Sequence, residues 1–366
     1  MKRGPVNDNL KTDRTVAMPE PPTWMLYGAY GRTGRVILEE AVRRGHRPVL
    51  AGRDGDELSA LGRATGLTIE RLPLEDGRAL RAAVSRVRCV LLAAGPYHLT
   101  GTAMRAACLD AGCSYLDLNG EIEDFGAALA CDERARAAGV AIIPGVGYGV
   151  VFAECVAMHV AHRLPAASWL RLSLDTRIAG RSRGATLSAA DAMIGGGREI
   201  HQDALRKRAI AFSTWRAPRG AAHGLRFAAA PRAELSAVHR STRIPNIVAG
   251  IPLSRVAAAA MRIGGPWIGR LLLRQAARLS TRAEHPPSGA AIAAMRSRVW
   301  AEAGDANGTY VGAMLETGEG YRAAAAAAVA GVELQLRAHR AGAFTPAQAF
   351  GPGFALRVPG TRIEEL

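Results

Sequence analysis

The stretch WMLYGAYGRTGRVILEEAVRRGH, from Trp24 to His46, sets glycines at positions 28, 31 and 34 between a short apolar run and a helical pattern. At a strand-to-helix turn, each glycine of a G-x-x-G-x-x-G spacing has a physical task. Gly28 allows the tight turn, and Gly31 removes a side chain where a pyrophosphate would lie. Gly34 lets the helix pack closely on the strand, and the helix start offers unpaired N–H groups to phosphate oxygens. The chemistry implied is the binding of a dinucleotide, with Tyr30, Arg32 and Thr33 in the same loop completing the candidate contacts.

The end of the next apolar run, LAGRDGDEL, bears on which dinucleotide is bound. An acidic residue there would hydrogen-bond the ribose hydroxyls of NAD. Here Arg53 stands at the turn, and a guanidinium holds the extra phosphate of NADP through paired, charge-assisted hydrogen bonds. Arg32 offers a second cation, while Asp54 keeps the ribose role open. Further on, LLAAGPY brings Gly95 and Pro96 to the carboxyl edge of a strand, where a nicotinamide would sit. The segments YLDLNGE and IIPGVGYG end the following strands on that side, so Tyr97, Asp117, Asn119, Glu121 and Tyr148 gather around one cleft. Tyr97, Tyr148 and Glu154 are the candidate proton donors for a hydride-transfer reaction.

These residues need a scaffold that carries successive strand ends to one edge. From Trp24 to about Gly149, short and nearly continuous apolar runs alternate with amphipathic segments at Thr33–Arg44, Glu57–Thr65, Ala79–Ser85, Thr100–Ala111 and Glu123–Ala138. That alternation predicts βαβ units and a parallel sheet covered on both faces, a doubly wound α/β (Rossmann) fold over residues 24–150. The second half changes character. WLRLSLDTR, STRIPNIV and the long VWAEAGDANGTYVGAMLETGEG are strand-like, with a hairpin signal at Asn307-Gly308. Residues 151–320 therefore read as an α+β substrate or oligomerisation domain with a mainly antiparallel sheet. Residues 321–366 read as a helix and tail packing back on the first domain, and residues 1–23 as a mobile polar tail.

Composition narrows the functional class. The chain of 366 residues carries a formal charge of +15, almost all of it arginine. Its few aromatics are scattered, which speaks against a nucleic-acid stacking platform. Five cysteines without a C-x-x-C pair fit a reducing cytoplasm and neither a disulfide framework nor a zinc site. His159 and His162, three apart, lack a companion ligand set and read as surface histidines, so no metal is expected. No uncharged run is long enough to span a membrane. A segment from Ser254 to Arg282 repeats arginine at 270, 274, 278 and 282, either a solvated helix face or a docking surface for an anionic carrier protein or lipid.

Taken together, LYGAYGRTGR, RPVLAGRD, LLAAGPY, AACLDAGCSYLDLNGE and IIPGVGYGVV resemble the saccharopine dehydrogenase-like NADP-dependent oxidoreductases, a group that includes trans-acting enoyl reductases. Looser likeness continues through GRSRGATLSAADAMIGGG and the C-terminal hairpin, helix and Thr-Pro-Ala tail. The resemblance implies NADP(H) as cofactor, with Gly28, Gly31, Thr33 and Gly34 on the pyrophosphate and Arg53 on the adenosine phosphate. Ala94, Gly95 and Pro96 would line the nicotinamide. Relatives often carry Gly-Phe-Asp and then Pro-Ser-Asp after the Pro-Gly turn; here Gly149 and Glu154 stand at the two aspartate positions.

The expected activity is NADPH-dependent reduction of a conjugated C=C (enoyl) or C=N (imine) bond in a small-molecule or acyl-carrier-bound intermediate, by a homodimer. A saccharopine-type dehydrogenase acting on a C–N bond is the alternative, with Arg177, Arg181 and Arg183 as carboxylate-binding candidates. A dinucleotide-binding scaffold without chemistry is the third.

Overall fold

Strand, helix and strand follow one another through the first half of the chain, as the apolar periodicity requires. The computed structural model describes residues 24–178, 183–218, 225–278, 289–338 and 340–366. The tail over 1–23, Arg181 and Arg282 fall outside the described residues. The first unit runs β1 (Trp24–Tyr27), α1 (Arg32–Arg43), β2 (Val49–Gly52), α2 (Gly55–Thr65), β3 (Ile69–Arg71) and α3 (Gly77–Val84). It continues through β4 (Cys89–Leu92), α4 (Tyr97–Ala111), β5 (Ser114–Asp117), α5 (Ile122–Leu129), α6 (Asp132–Ala137) and β6 (Ala141–Ile143). These strands pair in parallel in the order β6-β5-β4-β1-β2-β3. Every residue of β1, β2, β4 and β5 is buried, the expected state of strands covered on both faces. The chain reverses its winding between β1 and β4, so a crevice opens at their carboxyl ends.

Helix α7 (Tyr148–Arg163) leads into the second unit: β7 (Trp169–Asp175), α8 (Arg183–Gly195), β8 (Gly197–His201), β9 (Ala204–Arg208), β10 (Thr214–Arg216), β11 (Arg226–Ala229) and α9 (Glu234–Thr242). Then come β12 (Ile247–Pro252), α10 (Arg255–Arg278), α11 (Gly289–Ala294), β13 (Ser297–Gly304), β14 (Tyr310–Thr317) and α12 (Gly320–Arg337), and last β15 (Gly342–Ala343), α13 (Pro346–Phe350) and β16 (Arg362–Glu365). The second sheet has the order β10-β11-β12-β7-β13-β14-β16, with the β8–β9 hairpin attached to β12. Only the β12–β7 pair in it is parallel, so the sheet is mainly antiparallel.

Helix α12 shows how the two units share their interior. Its sequence GYRAAAAAAVAGVELQLR is apolar almost all round, as a helix buried on both sides must be. Ala325, Ala328, Val329 and Val332 pack with Trp24, Leu26 and Ile37 of the first sheet and α1. Ala323, Ala327 and Ala330 face the core formed by Val151, Phe152 and Val156 of α7 with Leu172 and Val299 of the second sheet. The C-terminal stretch divides between the units. Strand β15 extends the first sheet beside β6, whereas β16 pairs with β14, so residues 321–366 do not all pack on the first domain.

Three local departures from the sequence pattern have physical reasons. The helix expected over Glu123–Ala138 breaks into α5 and α6, and the break seats α6 against β15, where Asp132 accepts the Ala343 amide at 2.7 Å. The STR of STRIPNIV belongs to α9 and its end, where Arg243 closes the helix in a left-handed conformation (φ 60°). The β8–β9 hairpin turns through Gln202 and Asp203, both at positive φ (49° and 61°), and so lacks the Asn-Gly signature that marks such turns. The Asn307-Gly308 signal does mark a hairpin, β13–β14, with Gly308 at φ 84°.

Candidate active site

The glycine loop joins β1 to α1 at the crevice. Gly28 has φ 86°, and a Cβ on it would lie 2.9 Å from the Ala94 methyl beyond β4. A Cβ on Gly34 would collide with the Gly28 carbonyl, so the first turn of α1 rests directly on the loop backbone. Gly31 is the N-cap residue and provides no side-chain cap, and the first turn of α1 holds no acidic residue. The amides of Arg32, Thr33 and Gly34 have no helical partner by construction and gain no side-chain cap. This backbone cradle fits a diphosphate.

The adenosine end is shaped by Tyr30, Arg53 and a residue the sequence reading missed. Tyr30 lies across the end of β2, where even a methyl on Gly52 would strike its ring. Arg53 is exposed, and among the described residues its guanidinium has no hydrogen-bond or ion-pair partner. Arg71 is the β3 neighbour of Gly52 and donates from Nε to the Arg53 carbonyl at 3.3 Å, which adds a second cation. Asp54 is committed elsewhere: its carboxylate caps α2, accepting from the Asp56 and Glu57 amides, each at 3.1 Å. Arg32 also departs from its expected place beside the adenosine phosphate. Its guanidinium stacks over the Tyr321 ring at 5.3 Å, turned toward the start of α12. The pair Arg53–Arg71 fits the third phosphate of NADP, and Asp54 is not free for a ribose.

At the other end of the crevice, Ala94, Gly95 and Pro96 connect β4 to α4. The Thr100 hydroxyl donates back to the Ala94 carbonyl at 2.6 Å and fixes the loop. A Cβ on Gly95 would touch the Tyr97 ring at 3.5 Å, so ring and loop form one surface. Glu121 caps α4 from the neighbouring loop. Its two oxygens accept the Tyr97 amide at 2.8 Å and the His98 amide at 2.9 Å, together with Ser188 Oγ at 2.6 Å and His98 Nδ1 at 2.9 Å. Burial opposes ionisation of Glu121, but these bonds outweigh it and hold the carboxyl below its ordinary range. The far ring nitrogen of His98 lies 3.8 Å from Asp191 on α8. Ser188 and Asp191 of α8 therefore close the cleft from the second unit against His98 of α4; both lie within GRSRGATLSAADAMIGGG, but no spacing there marks them as site residues.

Beneath this surface the polar residues are structural. Asp117 is wholly buried and accepts the Asn119 and Gly145 amides, each at 2.8 Å, and the Tyr115 hydroxyl at 2.6 Å. Burial pushes its carboxyl up to about 6, with those bonds opposing. Asn119 accepts the Glu121 amide and donates to Asp124, which is itself paired with buried Arg105 at 2.6 Å. Asp117 and Asn119 thus shape the loop that presents Glu121 and do not face a ligand.

The three proton-donor candidates separate. Burial first, then the charges of Asp117 and Glu121, push the Tyr97 phenol well above its ordinary value. Tyr148, at the start of α7, is also buried and lies beside Ser297 and Thr176 without a hydrogen bond of normal geometry. Glu154 is the candidate that the structure removes. It is fully buried two turns along α7, bonded to Ser241 and to the Ala347 amide of α13 at 2.8 Å, a staple between helices remote from the cleft. Glu234, paired with Arg232, occupies the space that a side chain at 149 would need.

Where β7 ends and β13 begins, beside Tyr148, a cavity of about 460 Å³ is lined by residues that include Asp175, Arg177, Arg296, Arg298 and Trp300. Arg177 pairs with Asp175 at 2.9 Å and Arg298 with Glu316 at 2.7 Å, while Arg296 donates to the Ala293 and Met295 carbonyls. The Trp300 indole N–H is buried without a partner. Among the described residues, no group of His, Cys, Asp and Glu is arranged to hold a metal, and no helix is long and apolar enough to cross a membrane.

The order of the first sheet and the glycine cradle at its switch point define a dinucleotide-binding fold. Residues 24–143 match the family described as the saccharopine dehydrogenase NADP binding domain. A trans-acting enoyl reductase of Mycobacterium tuberculosis is 34% identical over 105 residues, 27% of this chain and 25% of that protein. A saccharopine dehydrogenase-like oxidoreductase of Arabidopsis thaliana is 29% identical over 189 residues, 44% of this chain and 41% of its own length. The matched stretch thus spans between a quarter and two fifths of these relatives. The structure of the Saccharomyces cerevisiae saccharopine dehydrogenase (L-Glu forming) superposes over 94% of this chain and 99% of that one, with a TM-score of 0.60 at 11% identity, so the two share a fold.

Two outcomes are expected from this geometry. Replacing Arg53 with alanine should weaken NADPH binding about tenfold to a hundredfold while leaving NADH binding unchanged, since a hydrogen bond to a charged group contributes roughly 1.5–3 kcal/mol. Titration calorimetry with both coenzymes measures the difference, and an equal loss for both would contradict the assignment. The second outcome concerns Glu154, whose carboxyl burial pushes up to about 7 from an ordinary 4.5. Between those values the unfolded chain releases a proton that the folded chain retains, so stability falls as pH rises through the window. Glu154→Gln removes that contribution. Urea unfolding at about pH 4.5 and about pH 7.5 should show the variant gaining on the parent by up to about 3 kcal/mol at the higher pH. Parallel pH profiles would show that Glu154 is ionised in the fold.

Proposed function

We propose that this chain is an NADPH-dependent reductase acting on a conjugated C=C or C=N bond of a small or carrier-bound intermediate. The observation that carries this reading is Tyr97, whose ring lies against Gly95, on the loop where the nicotinamide half of a dinucleotide belongs. Bound NADPH would supply the hydride. The cradle amides and Arg53 would bind and orient the coenzyme, and the cleft wall formed by α8 would exclude water. Tyr97 would give its proton to the atom next to the one that receives hydride and recover it from solvent. Glu121 would position Tyr97 by capping the helix that begins with it.

The arginine-lined cavity at Arg177, Arg296 and Arg298 favours a second reading, a C–N-forming or C–N-cleaving dehydrogenase whose substrate carries carboxylates. The sequence candidates for that role were Arg177, Arg181 and Arg183. Of these, Arg177 lines the cavity, whereas Arg181 and the Arg183 side chain lie outside what is described. NADPH oxidation with an enoyl thioester, compared with an amine and oxo-acid pair, separates the two readings by which class turns over. In the active assay, Tyr97→Phe should lower kcat by about a hundredfold to ten-thousandfold, the contribution of a positioned acid, with NADPH affinity unchanged. Unaltered turnover would remove Tyr97 from the mechanism. NADPH binding without oxidation by either substrate class would support a non-catalytic scaffold.

A further inference from the structure

Helix α10 (Arg255–Arg278) contains five arginines and no acidic residue. One face is spoken for. Gly265 and Gly269 leave no room for a Cβ against Ile210 and against Ala190, Met193 and Ile194, so the helix lies close on α8. Arg262, on the flank, is used up by the Ala211 and Phe212 carbonyls. The opposite stripe is uncovered. Val256, Ile263, Trp267 and Leu271, at spacings of seven, four and four, are 81%, 86%, 74% and 55% exposed. They fall on one line of about 22 Å at the 1.5 Å rise of a helix. Arg270 and Arg274 continue the same stripe at its far end, and Arg270 stacks on Trp267 at 5.6 Å.

Exposed side chains of this size are a liability in water unless something apolar covers them. We propose that this face of α10 docks on an anionic lipid surface, the helix lying in the plane of the interface. Val256, Ile263, Trp267 and Leu271 enter the acyl boundary, while Arg270 and Arg274 bind headgroup phosphates. The stacked Trp–Arg pair suits that depth, an aromatic body below and a cation reaching up. Charge selects this occupant over a second copy of the chain. A two-fold contact would bury the arginines of each copy against a patch that has no acid on the helix to receive them. The apolar length selects it over an acidic protein, since the cations occupy one end of the stripe and Val256 and Ile263 lie well away from them.

The test is cosedimentation of the full chain with vesicles of phosphatidylcholine containing phosphatidylglycerol, against vesicles of phosphatidylcholine alone. Binding is expected to the anionic vesicles and to fall with added salt. Ile263→Ser with Trp267→Ser, and separately Arg270→Glu with Arg274→Glu, should each weaken it about tenfold or more, while NADPH affinity, the check on folding, stays at the parental value. No binding to anionic vesicles overturns the proposal, and so does binding that neither double variant weakens. Analytical ultracentrifugation adds a third contradiction: a parental dimer that the Ile263–Trp267 variant converts to monomer would show that a second copy covers the face. None of these outcomes depends on which reaction the chain catalyses.

Discussion

The whole arrangement depends on how closely backbone meets backbone at the β1–α1 turn. Gly28 must pass the Ala94 methyl, and Gly34 must rest on the Gly28 carbonyl, before α1 can aim its first amides into the crevice. A side chain at either glycine would push the helix outward, and the gap would lose both its shape and its hydrogen-bond donors. The same contact ties the loop to the end of β4, so the glycine loop and the Ala94–Pro96 loop are set by one packing event.

A second constraint joins the two units at the cleft. Glu121 caps α4 and takes bonds from Ser188 and His98, and His98 faces Asp191. The wall built by α8 is thereby coupled to the helix that begins with Tyr97. Asp117, Asn119, Asp124 and Arg105 form a buried layer below, which fixes the loop bearing Glu121 without reaching the crevice. Polar residues near the site thus divide into a layer that faces the cleft and a layer that holds it, and burial separates the two.

Much of the first domain was legible because its signals are local. Continuous apolar strands, the glycine spacing and Arg53 each announce themselves within a few residues. What failed did so where partners are distant in sequence. Nothing near Asp54 shows that it caps α2, and nothing near Arg32 shows that Tyr321, almost three hundred residues on, will receive it. Glu154 stands where the resemblance implies an aspartate, yet helix α7 carries it into the interior beside Ser241 and Ala347. The approach of Glu234 to Gly149 is also a three-dimensional fact, as is the gathering of Arg296 and Arg298 with Arg177. In the second domain, the β8–β9 turn was hidden because non-glycine residues adopt left-handed conformations there.

The most direct test of the cradle is a crystal structure of the chain with NADP(H) bound. The diphosphate oxygens are expected within hydrogen-bonding distance of the Arg32, Thr33 and Gly34 amides, and the third phosphate beside Arg53 and Arg71. A coenzyme seated elsewhere, or seated in the crevice with its diphosphate turned away from those amides, would contradict the central claim.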